Sequence, residues 1–584
     1  MLEPRYRWVF PAFVTPSGEL LATGRELGLS ERVTGILATR GIADPSELRA
    51  FLALEPPLHD PALLPDADRL RERLDRARVA DEPVLVFGDF DADGLTGLAI
   101  MVIALRGAGH TVEPYVPSRL DEGHGLSLAA VERAAAIGAR VIVTVDCGST
   151  SNAEIAAAAE RGIDTIVTDH HRVPAVMPPA VALVNPHRPD SVYPDRRLAG
   201  SGVAFKVAQL LLGDDALDLA DLATIGTVAD VAPILGENRA IARLGLALLR
   251  TNPRPGIAAL LARAGIAPAR VDLEQVAFAI APRLNAAGRM GEALDAADLL
   301  LSDDADEAAR LAEALEVANS SRRDLMKLAV EEARAAVAAA AEGQGTAPAA
   351  VVVRGAWPVG IVGLVAARLA EDSGRPAVVG ADLGEVVRAS CRSGDALDLA
   401  ATLEHCADLF IRHGGHAGAA GFELTTDRWD AFRERFLLLA AVAAPPDPLR
   451  PLRVDIALPA KSADYALFRE LTAFAPTGPG NPDPLVAVCG LTVTRVRAAT
   501  GGHTQLTLRR EVDVLDGIAF GRADLVEIVH EGDRVDVVAR LASRSFGGFE
   551  SLQLEIRDVA PAGSHPETAL GAASGGARTL TGAA

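Results

Sequence analysis

The sequence predicts an α/β protein of several domains: a parallel-sheet domain joined by a long helix to a second α/β domain, followed by a small β-barrel with an OB fold as the leading candidate. Three observations carry this expectation. Apolar runs of strand length, VLVFG (84–88), VIVTV (141–145) and TIVTD (165–169), alternate with alanine-rich helical stretches, the pattern of a parallel sheet. Residues 303–342 contain neither proline nor glycine. They predict one long helix, or two with little break, of roughly 60 Å if continuous, and a helix that long bridges domains. From about 450 to 560, short alternating stretches such as TQLTL, GIAF and RVDVVARL are separated by glycine-containing turns.

In chain order, residues 1–80 carry short helical patterns and proline-rich breaks (EPPLHDPALLPD) and are expected to cap the catalytic region. The parallel-sheet domain occupies 81–302, the connecting helix 303–345 and the second α/β domain 346–445, which ends in the break AAPPDPLRP. The barrel spans 450–560. The last stretch, 561–584, is poor in apolar bulk and rich in Gly, Ala, Ser and Thr, and is expected to be disordered. A chain of 584 residues exceeds one core, in keeping with this division.

Bulk properties exclude some classes. No run of about 18 uncharged apolar residues predicts a membrane span, and the opening MLEPRYRWVF lacks signal-peptide character. Cys147, Cys391, Cys406 and Cys489 are scattered without a CxxC pair, which suits a reducing cytoplasm and predicts neither a zinc site nor a disulfide framework. The net charge of −21 argues, taken alone, against a nucleic-acid partner. Phosphate binding needs only a local basic groove, however, and carboxylates that bind metal add negative charge without repelling substrate.

The chemistry-bearing residues follow the strands. VFGDFDADGLTG places Asp89, Asp91 and Asp93 at alternate positions directly after a strand. Three close carboxylates repel one another and call for a cation, and hard divalent ions take oxygen ligands. A solvated acidic turn is the other reading; an EF-hand is excluded, because no glutamate stands at loop position twelve and no flanking helices occur. Asp146 in TVDCGST again follows a strand, as does Asp169-His170-His171, where imidazole can bind metal or shuttle protons. Taken alone, the two histidines have a lesser reading as loop residues without function. Asp230 lies in the apolar stretch LATIGTVADVAP, where an unpaired carboxylate is costly.

GDFDADG, TVDCG, TDHH and GTVAD stand in the order of the four motifs of the DHH phosphoesterases, and the chain resembles the RecJ-type exonuclease branch of that superfamily over nearly its whole length. LAGSGVAFKVAQLL, PILGENRAIARLGL, APRLNAAGRMG and FAPTGPGNPDP add to the resemblance, and RHGGHAGAAGF (412–422) signals a DHH-associated domain. The resemblance implies a 5′ to 3′ exonuclease that releases mononucleotides from single-stranded DNA in repair and recombination. By motif, Asp91, Asp93, Asp146, His170 and Asp230 would hold two divalent ions, Mn²⁺ or Mg²⁺, with Asp146 between them. Asp89 and His171 would act beside them, His171 as proton donor or phosphate clamp. Expected partners are single-stranded DNA, a single-strand-binding protein and a helicase, with a monomeric, cytoplasmic protein and no membrane.

Substrate contacts are also carried over by resemblance. Arg119 would face the phosphate end of the strand, with His124 standing where the family often has tyrosine. Ser390 and Arg392 in RASCRSG would form a 5′-phosphate pocket, Arg283 and Arg289 in APRLNAAGR would contact the strand, and His416 in GGHAGAAG would lie across the cleft from the metals. Trp357-Pro358 departs from the Trp-His pair common in the family, so any role of that histidine is absent. In the barrel segment 13 Lys/Arg oppose 15 Asp/Glu between Arg450 and Ala560. Phe520, Phe546 and Phe549 are its aromatic candidates for base stacking, with core packing favoured for Phe520. Two other functions stay open: a phosphodiesterase for cyclic dinucleotides or short oligonucleotides, and a non-catalytic replication scaffold.

Overall fold

The computed structural model describes residues 2–53, 57–119, 122–290, 293–341, 348–393, 397–442, 449–546 and 549–564. The chain folds as two compact units, Pro57–Pro446 and Met1–Pro56 together with Asp447–Ala584.

The strands of Pro57–Pro446 are numbered here β1 to β10. β1 (Val84–Gly88), β2 (Val112–Tyr115), β3 (Val141–Val145), β4 (Asp164–Thr168) and β5 (Ala182–Val184) form one parallel sheet in the order β2-β1-β3-β4-β5. The uninterrupted apolar runs follow from burial of both faces. Val84, Val86, Val141 and Val143 enter one core, and Leu85, Phe87, Ile142 and Val167 enter the other. Gly88 pairs with Val145, Val145 with Thr168 and Thr168 with Val184, so these strands end level. Asp89, Asp146, Asp169 and Asn185 therefore stand in one row past the carboxyl edge, where open parallel sheets place ligands.

A single helix, Ala305–Ala341, connects the two halves of this unit. Leu311 and Leu315 near its start belong to the first core, while Ala329, Val330 and Ala333 belong to the core of the second sheet. That sheet comprises β6 (Val351–Gly355), β7 (Ala377–Asp382), β8 (Val386–Arg392), β9 (Arg412–Gly415) and β10 (Ala419–Thr425), in the order β9-β10-β8-β7-β6. Only β6 and β7 run parallel.

In the other unit, strands Val486–Ala499, His503–Arg510, Asp513–Ala519, Phe549–Pro561 and Arg534–Phe546 pair in sequence, and the last closes back on the first. Closure of five strands into a barrel agrees with an OB fold and removes exposed sheet edges. Helices Gly18–Glu26, Glu31–Thr39 and Pro45–Leu52 are capped by Ser17, Ser30 and Asp44. Their apolar faces, Leu20, Ile36, Leu37 and Phe51, share one core with Leu458, Phe474, Val488 and Leu506 of the barrel region. The buried pair Arg40–Asp455 (2.8 Å) fastens the two segments.

This corrects the expectation that residues 1–80 cap the catalytic region. Residues 2–53 complete the barrel unit, because their amphipathic helices find their apolar partners there. Only the segment after Pro57 joins the catalytic sheet, where Leu64, Leu70 and Leu74 enter its core and the buried Lys206 Nζ donates to His59 O at 2.6 Å. Phe520 is likewise not packed in the core: it is 51% exposed and meets His503 edge-on. The side chains of Phe546 and Phe549, and the tail 565–584, lie outside the described residues. Among the described residues no helix is long and apolar enough to cross a membrane, and all four cysteines are free and buried.

Candidate active site

The first acidic loop turns sharply after β1. At Gly94 a side chain would collide with the Asp89 backbone, so glycine allows the loop to fold back on itself. Asp91 caps the helix Ala92–Gly107 by accepting from Asp93 N (3.0 Å) and Gly94 N (3.1 Å) through Oδ1. Asp93 is 2% exposed and accepts from Gly200 N (2.7 Å) and Ser201 N (3.0 Å), the first amides of the helix Gly200–Leu212. That helix approaches so closely that a Cβ at Gly200 would collide with Asp146. Asp146 itself adopts φ +62°, a left-handed conformation uncommon outside glycine and concentrated at functional sites.

His170 joins the acids. Its Nε2 lies 3.1 Å from Asp146 Oδ1 and 3.9 Å from Asp93 Oδ2, and its Nδ1 lies 3.9 Å from Asp230 Oδ2. Asp146 Oδ1 is buried and accepts no hydrogen bond despite the nearby imidazole, as expected of ligands that converge on a third atom. Three donor sets, each within 4.8 Å, are present: Asp146-His170-His171, Asp93-His170-Asp230 and Asp89-Asp91-Asp146. Asp146 and His170 each serve two sets.

Electrostatics explain why such a cluster needs a cation. Burial, then Asp93 and Asp91, push Asp146 well above the usual carboxylate range. Burial with Asp89 and Asp93 raises Asp91 to about 6, and burial with Asp93 and Asp91 raises Asp230 to about 8. Carboxylate sets joined by two, one and no imidazoles suit Mn²⁺ or Mg²⁺ and lack the thiolates of a structural zinc site. The orphaned Asp146 oxygen and the crowded carboxylates fit two such ions.

Asp169 plays a part that sequence reasoning left unassigned. Burial raises its pKa, but hydrogen bonds from the His171 ring and from backbone amides win, and the carboxyl is held well below its usual range. It accepts from His171 Nδ1 (2.8 Å) and from the amides of His170, His171 and Ser149. The same bond raises His171 to about 9, with burial opposing, and it engages Nδ1, leaving Nε2 free of Asp169. On the other side, His124 Nδ1 sits 3.2 Å from Asp89 Oδ2. The Arg119 guanidinium lies 4.8 Å from the Phe90 ring centroid, a cation–π contact that holds it near the acids.

A second cluster is cationic. Arg392 Nη1 donates to Ser390 Oγ at 2.9 Å, and both side chains sit over Gly363 of the helix Val359–Ser373, where a Cβ would crowd them. Arg289 Nη1 donates to Gly360 O of the same helix at 2.9 Å. Burial, then Arg119 and Arg322, lower Arg289 to about 10, with Asp91 opposing. Burial also lowers Arg392, with Arg119 adding to it. Arg119, Arg322 and Arg392 thus lie within electrostatic reach of Arg289, and none of the four has a carboxylate ion pair among the described residues. Arg322, in the long helix, gave no sequence signal because its neighbours come from other elements.

One expected contact differs. Arg283 does not face a strand: it is 8% exposed and donates to Glu316 Oε2 (2.5 Å) and Ala279 O (2.6 Å), fixing its helix to the connecting helix. His416 occupies the turn between β9 and β10, where its backbone N–H donates to Ala419 O; no described contact joins its ring to the acidic cluster. A separate surface cavity of about 700 Å³ lies at the amino ends of the strands, around Arg73, Arg140 and Asp164. Its buried Arg73 is already paired with Asp164 and Glu82.

The acidic row, its two shared ligands and the facing arginines define a DHH-type phosphoesterase centre, and comparison with known proteins agrees. The model of the DHH family N-terminal domain matches residues 83–227, that of the DHHA1 domain 346–440 and that of the RecJ OB domain 454–558. The single-stranded-DNA-specific exonuclease RecJ of Bacillus subtilis is 33% identical over 96% of this chain and 71% of its own. The crystal structure of RecJ with Mn²⁺ from Thermus thermophilus aligns with TM-score 0.81 and 30% identity, over 95% of this chain and 80% of that one; the same protein with Mg²⁺ gives 0.75. The chain belongs to the RecJ family.

Proposed function

We propose that this protein is a metal-dependent exonuclease that degrades single-stranded DNA from its 5′ end and releases mononucleotides. The observation that carries the reading is a carboxylate cluster suited to two ions beside a group of half-buried guanidiniums that have no carboxylate ion pair among the described residues. Asp91, Asp93, Asp146, His170 and Asp230 would hold Mn²⁺ or Mg²⁺, with Asp146 shared. Bound there, two such ions lower the pKa of a water and neutralise the charge developing on a phosphodiester.

The chain's own groups supply the rest. Arg119, Arg289, Arg392 and Ser390 bind the terminal phosphate, a dianion that suits several guanidinium forks. With that phosphate seated, the next phosphodiester lies over Asp146. His171, whose ring is oriented by Asp169 through Nδ1, would donate from Nε2 to the phosphate or to the departing 3′ oxygen. Hydrolysis at that bond leaves a 5′-mononucleotide and a shortened strand with a fresh 5′-phosphate, which is again the group the arginines bind. On the barrel, Arg495, Arg497 and Arg544 line a shallow depression with Gln505 and Gln553, a surface suited to the backbone of a longer strand. The same proposal includes a role in repair and recombination, a cytoplasmic monomer, and partners such as a single-strand-binding protein and a helicase.

Digestion of end-labelled strands tests the proposal. Wild type should release the 5′ nucleotide first, and Arg392→Ala should raise KM for 5′-phosphorylated strands roughly tenfold more than for 5′-hydroxyl strands. Equal weakening of both, or release from the 3′ end, would overturn the pocket. Cyclic dinucleotides, which have no terminal phosphate, should be poor substrates.

A further inference from the structure

The loop after β5 contains a group of side chains that the reaction as described does not use. We propose that His187 and Arg196 form a second phosphate subsite, which takes the phosphodiester on the 3′ side of the scissile bond. The inference rests on the exonuclease reading above and extends it to the substrate beyond the first nucleotide.

Sheet order supplies the first argument. Along β2-β1-β3-β4-β5 the elements that follow the strands are, in spatial sequence, the Arg119 loop, the Asp89–Asp93 loop, Asp146, His170-His171 and Asn185–His187. At about 4.8 Å between neighbouring strands, the two outer strand ends are roughly 19 Å apart. The terminal-phosphate grip is at one end of this row and the carboxylates are in the middle. A strand that enters at Arg119 and crosses the acids leads next to the β5 loop.

A built connection supplies the second. Asn185 is fully buried. Its Nδ2 donates to His171 O (2.9 Å) and Ser149 Oγ (3.1 Å), and its Oδ1 accepts from His187 N (2.8 Å). One amide thus fixes the His187 backbone to that of His171.

The third is selective pairing. Four cationic or imidazole side chains lie between Val184 and Leu198. Arg188 is saturated by Asp66, Asp190 and Leu183 O, and Arg197 is paired with Asp195. The exposed His187 ring has no hydrogen bond or ion pair among the described residues, and Arg196 gives only Nη2, to Ser191 O at 2.9 Å. His187 lies within electrostatic reach of Arg196, Asp169 and His171. A diester carries one negative charge, and one imidazole with one guanidinium matches it, whereas the dianionic terminus meets several arginines.

The experiment uses the full chain with Mn²⁺ and three 5′-phosphorylated substrates: a dinucleotide, a trinucleotide, and a trinucleotide whose second linkage is a neutral methylphosphonate. The double variant His187→Ala/Arg196→Ala should lose roughly tenfold in kcat/KM on the trinucleotide and stay within about twofold on the dinucleotide. Wild type on the methylphosphonate substrate should fall to its dinucleotide level. Equal loss on dinucleotide and trinucleotide, or no loss on either, would overturn the subsite. Failure of the underlying reading looks different: wild type would hydrolyse none of the three, or would release the 3′ nucleotide first.

Discussion

The acidic cluster stands largely on one platform, whereas the arginine cluster is gathered from four separate elements. Asp89, Asp146 and Asp169 extend from strands whose ends are held level by backbone register, and Asp93 is fixed by two helix amides. Arg119 comes from a loop, Arg289 from the helix Ala281–Met290, Arg322 from the connecting helix and Arg392 from β8. Both clusters bring like charges together out of water, and each is unfavourable until its counterion arrives. The difference is in rigidity. The metal ligands keep their places as long as the parallel sheet is folded, while the phosphate grip depends on how the connecting helix carries the second sheet. Changes in the acids should therefore act on kcat, and changes in the arginines mainly on KM.

The largest expected effect is at Asp146. Asp146→Asn keeps the volume and removes the carboxylate shared by two donor sets, so activity should fall by about a thousandfold or more. Because burial and neighbouring acids disfavour the Asp146 anion, the metal-free variant should melt no lower than metal-free wild type. Calorimetry beside an activity assay checks both halves, and an active Asp146→Asn enzyme would remove the shared-ligand role.

Burial together with this repulsion predicts a pH-dependent response to metal. Asp91 is raised to about 6 and Asp230 to about 8. A raised folded pKa means that the folded state binds more protons than the unfolded one. The stability these two groups contribute is complete below about pH 4, the unfolded carboxylate range, and is lost as pH rises through 6 and 8. Metal replaces those protons. The increase in Tm on adding Mn²⁺ should therefore be several degrees larger at pH 8 than at pH 5.5; a larger increase at the lower pH would contradict the carboxylate assignment.

This asymmetry also decides what could be read from sequence. The acidic side was legible because Asp89, Asp146 and Asp169-His170 directly follow strands of recognisable apolar residues, and local pattern and tertiary position coincide there; Asp230, at the end of the helix Ala220–Ala229, stood out only as a carboxylate in an apolar stretch. Asn185 was harder to see, since its strand is only Ala182–Val184. Arg322 is an ordinary arginine on a helix until the fold brings Arg289 beside it. Arg283 shows the converse, a motif residue whose charge is consumed by Glu316. The N-terminal helices failed for a related reason: their amphipathic pattern announces a buried face but not the surface that buries it, and that surface lies more than 400 residues along the chain at Leu458 and Phe474.

The barrel unit gives a middle-sized effect. A chain ended near Pro445 would expose the faces of Leu20, Ile36 and Phe51 and should aggregate, whereas residues 57–446 alone should remain folded. That shorter protein should hydrolyse trinucleotides nearly as well as the full chain, while its KM for long strands rises roughly tenfold through loss of the barrel's basic face. Equal loss on short and long substrates would show that the barrel unit supports the catalytic fold itself.

The smallest effect, and the finest test of how the arginine cluster works, is at Arg322. Its Nη2 donates to the buried Asn319 Oδ1 at 2.8 Å, and its Nε is buried without a partner among the described residues. Arg322 lowers the pKa of Arg289, so the two guanidiniums repel, and that repulsion is relieved when a phosphate dianion sits between the arginines. Arg322→Gln keeps a side chain able to bond Asn319 while removing the charge. With Arg119, Arg289 and Arg392 still in place, KM for 5′-phosphorylated strands should rise only about threefold, because a partly screened charge near the phosphate is lost rather than a direct fork. kcat should not change, and the effect should fade as salt is raised. A loss beyond about thirtyfold that persists in high salt would instead make Arg322 a direct ligand of the phosphate, and the cluster would then be a four-armed grip rather than three arms in a positive field.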